Sequence, residues 1–326
     1  MSDQYLWDRS GPPDPEIERI ERTLAPLSLA GQSRGPSRRP PGVRPAPRAI
    51  WWRLPVAASV VLAAAALSRF AIPSAQPEPW RISRLEGSAR LGGQDAALRM
   101  PVRRGQTLRT AGGSALTMED GQLGEVDLGP DSEMRAATDR RMLLRRGTLH
   151  AYIWAPPRQF VVDTPSARAV DLGCEYTVTV DENGDGLLRV SYGWVAFQFA
   201  GRESFIPAGA ECVTRGRRGP GIPYYGDAPP PLRDALARFE RGDPEALAAI
   251  LASARPRDGL TLWHLLTRVS PASRGAVFDR FAELVPLPPE AARAGALAGD
   301  ARMIDLCWNA LNLEKTEWWR GWERRW

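Results

Sequence analysis

The sequence predicts a multidomain chain. A single transmembrane helix comes first, then an all-β domain of short antiparallel strands (a roll, sandwich or solenoid-like arrangement), then an all-α domain built like helical repeats. Three observations predict it. Leu54–Ser68 carries no charge and is bracketed by Arg53 and Arg69. Residues 80–219 alternate apolar and polar side chains with period two, broken by glycines. Beyond the prolines at 229–231 the apolar period becomes helical.

Residues 1–30 hold one amphipathic helix. Asp14 can cap it with Pro15 in its first turn, where a missing N–H costs nothing. Ile17, Ile20, Leu24 and Leu27 then share a face, and so short a helix buries no core of its own. That face is the candidate partner-binding surface. Residues 31–49, rich in arginine and proline, read as a disordered tether.

Residues 50–72 reach spanning length, since crossing roughly 30 Å of hydrocarbon takes about 20 helical residues. Trp51 and Trp52 suit the headgroup level. Arg34, Arg38, Arg39, Arg44, Arg48 and Arg53 precede the segment, with no acidic residue between Glu21 and Glu78, whereas the charges after it are mixed. The positive-inside bias places the N-terminus in the cytoplasm and the bulk of the chain in the periplasm or outside the cell. A buried core helix and a cleaved signal peptide are the competing readings. The net charge of +5 comes largely from this arginine run, so membrane topology accounts for it and no nucleic-acid partner is expected.

In the β region, Tyr176, Val178 and Val180 alternate on one side of "DENGDG", and Leu188, Val190 and Tyr192 on the other. The insert resembles a calcium loop at Asp181, Asn183 and Asp185. A calcium loop needs a bidentate glutamate at its twelfth position, which here is Tyr192. Asn183-Gly184 and Asp185-Gly186 tolerate positive φ, so a hairpin turn is expected. No CxxC, HExxH, GxSxG or P-loop spacing occurs, and no catalytic residue, cofactor or metal ligand is proposed from the sequence.

Five segments in order carry a family resemblance: "VRRGQTLRT" (102–110), "LGPDSEMR" (128–135), "LLRRGTLHAYI" (143–153), "FVVDTPSARAVDLGCEYTVTV" (160–180) and "LRVSYGWVAF" (188–197). Together they resemble the FecR domain of bacterial envelope regulators that control extracytoplasmic-function sigma factors. Cys174 stands where that pattern has threonine, and Tyr176 where it has phenylalanine. The resemblance implies an all-β signalling domain without catalytic residues, in a single-pass protein of the bacterial inner membrane. It also implies a sigma factor as cytoplasmic partner and an unidentified envelope protein on the other side. A scaffold or binding module for protein or glycan, with no sigma-factor role, is the alternative.

Cys174 and Cys212 both fall in this exported region and form a candidate disulfide, with two buried thiols as the competing reading. Residues 220–230 read as a linker, and 231–326 as short helices punctuated by Asp, Pro and Gly. His264 sits among apolar neighbours and reads as a packing residue. Trp318, Trp322 and Trp326 recur at helical spacing with arginines between them, a candidate interfacial tail or a strip that docks on the domain or a partner.

Overall fold

Period-two alternation resolves into strands. The computed structural model describes residues 79–216 and 218–313. In chain order the strands are β1 (Arg81–Glu86), β2 (Ala89–Leu91), β3 (Gln94–Asp95), β4 (Thr107–Thr110), β5 (Ala115–Asp120) and β6 (Gly124–Leu128). They continue with β7 (Glu133–Thr138), β8 (Arg141–Ile153), β9 (Val161–Asp163), β10 (Arg168–Asp171), β11 (Glu175–Val180) and β12 (Gly186–Tyr192). The last are β13 (Trp194–Phe199), β14 (Arg202–Pro207), β15 (Ala210–Arg215), β16 (Gly219–Pro220) and β17 (Tyr224–Tyr225).

All belong to one hydrogen-bonded network with two sections. The first runs β1-β5-β6-β8-β11-β12-β15, with β16 and β17 on its last edge. The second runs β3-β2-β4-β7-β8-β9-β10-β13-β14. Strand β8 joins them: residues 141–146 pair with β7, and residues 147–153 pair with β6 and β11. Gly147 sits at the changeover with φ 93°, and a Cβ there would lie 2.1 Å from the Ser132 hydroxyl. Only glycine satisfies both conditions.

The inward parity is apolar, as the alternation demands. Val126, Leu149, Val178 and Leu188 are fully buried, each burial stabilising by about 1.5–3 kcal/mol. The 181–185 insert is a hairpin turn between β11 and β12. Asp181 accepts the backbone N–H groups of Asn183 (2.8 Å) and Asp185 (2.9 Å), and Gly184 takes φ 81°. Asp181 Oδ1 thus serves the turn itself.

The helices are α1 (Pro230–Glu240), α2 (Ala246–Ser253), α3 (Gly259–Leu266), α4 (Pro271–Leu284), α5 (Arg293–Ala298) and α6 (Ala301–Ala310), with one 3-10 turn at Pro256–Asp258. Left-handed Gly299 ends α5, and Asp300 caps α6 by accepting the Met303 N–H at 3.1 Å. Every residue of α3 is buried. A helix apolar all round must be covered all round, and here strands supply part of the cover. Trp308 of α6 packs on Trp263 (4.6 Å between ring centres), on Phe205 of β14 (5.7 Å) and on Trp194 of β13 (5.9 Å). His264 completes this joint. Its Nε2 accepts the Phe205 N–H at 3.1 Å, so Nδ1 carries the hydrogen and donates to the Leu260 carbonyl at 2.9 Å. Burial holds its pKa down at about 3. The packing role expected for His264 is what the structure has.

The expected fold class needs correction. The described residues form a large two-section β-assembly with C-terminal helices, and among them no helix is long and apolar enough to cross a membrane. The span expected at 50–72 lies outside the described residues, as do the 1–30 helix and the 31–49 tether. Nor do the helices stack into a repeat module of their own: they share one continuous apolar core with the strands. Periodicity marks which side of an element is apolar and is silent about what covers it, so the pattern is the same whether strands or neighbouring helices supply the cover. In residues 220–230, read as a linker, β17 pairs with β15.

Candidate interaction face

The outward parity of the first section carries the most unusual surface. Across β5, β6, β8, β11, β12 and β15 the register aligns Thr117, Asp127, His150, Thr177, Arg189 and Glu211 in one transverse row. The adjacent row aligns Glu125, Tyr152, Glu175 and Tyr192. Cross-strand neighbours lie about 4.5–5.5 Å apart at Cβ, so each row is a continuous strip of side chains.

His150 is held by two carboxylates. Its Nδ1 is 3.4 Å from Asp127 Oδ2 and its Nε2 is 3.1 Å from Glu175 Oε1. The Thr117 hydroxyl donates to the other Asp127 oxygen at 2.6 Å. Both ring nitrogens therefore face acids, and the only hydroxyl in the chain of contacts is turned to a carboxylate rather than to the ring. The contacts join the imidazole to acids and do not pair it with a nucleophile. Among the described residues no cluster of three or more His, Cys, Asp or Glu side chains could hold a metal ion.

Beside this polar row, Tyr152 (49% exposed), Trp154 (49%) and Tyr192 (68%) leave large rings in solvent. Tyr152 and Trp154 meet edge to face at 5.8 Å, and the Trp154 indole N–H donates to Gly121 O at 3.3 Å. The Tyr152 and Trp154 rings thus brace one another before anything binds. Clustered exposed aromatics rimmed by charge mark interaction surfaces. The sequence carried a signal for this that the strand reading passed over. In "LHAYIW" the odd residues 149, 151 and 153 are already apolar, so Tyr152 and Trp154 are aromatic on the parity that should be polar.

Of the residues singled out from sequence, Ile17, Ile20, Leu24, Leu27, Trp318, Trp322 and Trp326 lie outside the described residues. Cys174 and Cys212 are separate free thiols, both buried, and are not joined as the candidate disulfide. The Cys174 thiol donates to Asp171, a fully buried carboxyl that also accepts the Gly173 N–H at 3.1 Å. Burial lifts Asp171 to about pKa 6 against the pull of those two bonds. Cys212 lies 3.4 Å from Gly221 O, and burial pushes it up to about 12. Neither thiol is a reactive thiolate.

No family model matches the sequence, and no curated protein matches it. Among solved structures, two crystal structures of a protein from Parabacteroides distasonis ATCC 8503, described as a "putative anti-sigma factor", align with 40% of the chain. The structure at 1.65 Å resolution gives a TM-score of 0.33 at 16% identity, and the one at 2.50 Å gives 0.32 at 17%. The alignment covers 64% of that protein's chain, so this sequence spans less than two thirds of its neighbour. Scores this low do not establish a shared fold.

Proposed function

We propose that this protein is a non-enzymatic regulator that works by binding other proteins, with a sigma factor as the partner of its N-terminal segment. The observation that carries the binding role is the exposed Tyr152–Trp154 pair, with Tyr192 in the same transverse row as Tyr152, beside Glu125, Asp127 and Glu175. Exposed rings interleaved with carboxylates complement a basic polypeptide segment, whose arginines can pair with the acids and stack on the rings at once. The sigma-factor half of the proposal rests on the five ordered FecR-like segments, which fall on β4, the approach to β7, β8, β9–β11 and β12–β13. A bacterial-envelope location belongs to the same proposal, and an alkaline-phosphatase fusion after residue 313 reports it.

The test uses residues 1–48 as bait and the full chain in a transcription reporter. Capture of a sigma factor, with reporter output altered by Ile20→Asp or Leu24→Asp, supports regulation. No sigma factor on the bait and no reporter change would leave the scaffold alternative in its place. The Tyr152→Ala/Trp154→Ala/Tyr192→Ala variant separates the two ends: it should abolish binding of an arginine-rich peptide to the face while leaving the bait experiment unchanged.

A further inference from the structure

A second cluster of charged residues lies where β14, β15 and β16 meet the end of α1 and Arg268, two residues beyond α3. A cavity of about 160 Å³ opens there, lined by Arg202, Arg215, Arg218, Arg268 and Glu240. Four guanidinium groups face a single carboxylate. The bonds made by three of them all go to neutral acceptors. Arg202 donates to Arg218 O (3.2 Å) and Arg218 to Glu240 O (2.8 Å). Arg268 donates to Pro220 O (3.3 Å), Glu203 O (3.0 Å) and the Ser204 hydroxyl (2.6 Å). Arg215 approaches Asp185 only to 3.9 Å, and its Nε is buried with no partner among the described residues. Glu240 spends one carboxylate oxygen on the Ile222 N–H at 2.6 Å.

Several arginines elsewhere pair closely with acids: Arg109 with Glu133 (3.1 Å), Arg168 with Asp163 (2.8 Å), Arg189 with Glu211 (2.9 Å) and Arg293 with Asp279 (2.6 Å). No seam arginine has an ion pair that close among the described residues, and here four of them line one recess. Gathering like charges around a recess costs repulsion, and largely burying one of them adds desolvation; burial lowers the Arg268 pKa to about 10. Backbone carbonyls fix the Arg202, Arg218 and Arg268 forks, Arg215 has only the Asp185 carboxylate at 3.9 Å, and Glu240 is the one carboxylate in the lining, so positive charge is in excess there. A recess with a positive excess and guanidinium donors already in place matches a multivalent oxyanion, whose oxygens accept several charge-assisted bonds together.

We propose that this seam binds a small phosphate-bearing ligand, and that binding ties β14–β16 to α1 and α3. The cavity's size selects a free phosphate or a small phosphomonoester over a lipid surface. The proposal is independent of the partner-binding face, which lies on other residues.

The full chain is titrated with inorganic phosphate, with glycerol phosphate and with chloride at matched ionic strength, followed by calorimetry and thermal melting. Arg202→Gln and Arg218→Gln, both at exposed positions, test the site, with Arg109→Gln as a control outside it. Phosphate should bind and raise the Tm where chloride does not, and each seam variant should weaken binding about tenfold while the control does not. The double variant covers the case in which one arginine compensates for the other. Equal effects of phosphate and chloride would overturn the proposal, as would binding that survives the double variant. Association with phosphatidylglycerol vesicles without binding of inorganic phosphate would overturn it too.

Discussion

The chain's two histidines sit in opposite surroundings, and the contrast separates the solvent-facing row from the buried joint. His150 lies on the outer face of the first β section, its side chain 34% exposed, with a carboxylate at each nitrogen. His264 is 1% exposed, with a backbone N–H on one nitrogen and a backbone carbonyl on the other. The first belongs to a solvent-facing row in which polar side chains bond to one another across strands. The second is a structural rivet: a neutral imidazole joins α3 to β14 across 59 residues of sequence. One side chain type bonds to acids where water reaches it and to backbone where water does not.

The comparison breaks most sharply at the tryptophans. Trp308→Ala empties the centre of the joint and should destabilise the protein by about 3–5 kcal/mol. Trp154→Ala, on the exposed face, should stay within about 0.5 kcal/mol. Urea unfolding of both variants reads the difference, and similar losses at the two sites would remove the distinction between joint and face.

Acid sharpens it next. His264 has a folded pKa of about 3, well below its ordinary value, so the unfolded chain takes up the proton first. Its contribution is whole above about pH 6.5 and is lost as pH falls, at about 1.4 kcal/mol per pH unit. Asp171, raised to about 6, acts in the opposite sense. Its neutral form is the one the fold accommodates, so its contribution is present below its ordinary pKa and is lost as pH rises through 6. The wild-type profile is therefore a difference of two trends. Chemical denaturation from pH 4 to 7 should show a flatter acid limb in His264→Gln and a smaller decline toward neutrality in Asp171→Asn. Parallel profiles in all three proteins would refute both assignments.

The smallest effect falls inside the core. Tyr176 is fully buried and its hydroxyl has no hydrogen-bond partner among the described residues. Burying such a group costs about 1–3 kcal/mol, so Tyr176→Phe should stabilise the protein by about 1 kcal/mol. A lower Tm in that variant would mean that the hydroxyl is bonded after all.

Much of the local structure was legible in the residues. Alternation in 176–180 and 188–192 marked two strands, Asn183-Gly184 marked the turn between them, and Gly299-Asp300 marked the break that starts α6. These are short-range facts: backbone sterics, turn chemistry and amphipathic period act within a few residues. The candidate face was only half legible. Tyr152 and Trp154 are visible as aromatics on the wrong parity, but their alignment with Glu175 and Tyr192 depends on pairings that join β8 to β11 and β11 to β12.

The residues alone determined which stretches extend, which coil, where they turn and which side of each is apolar. Tertiary structure alone decided that the apolar sides of strands and helices close on one another. It also set His264 beneath Phe205 and gathered four arginines from separate elements around one recess. Apolar attraction is non-directional and proportional to area, so it names no partner. The partner is chosen by long-range register and shape, which emerge only when the whole chain packs at once.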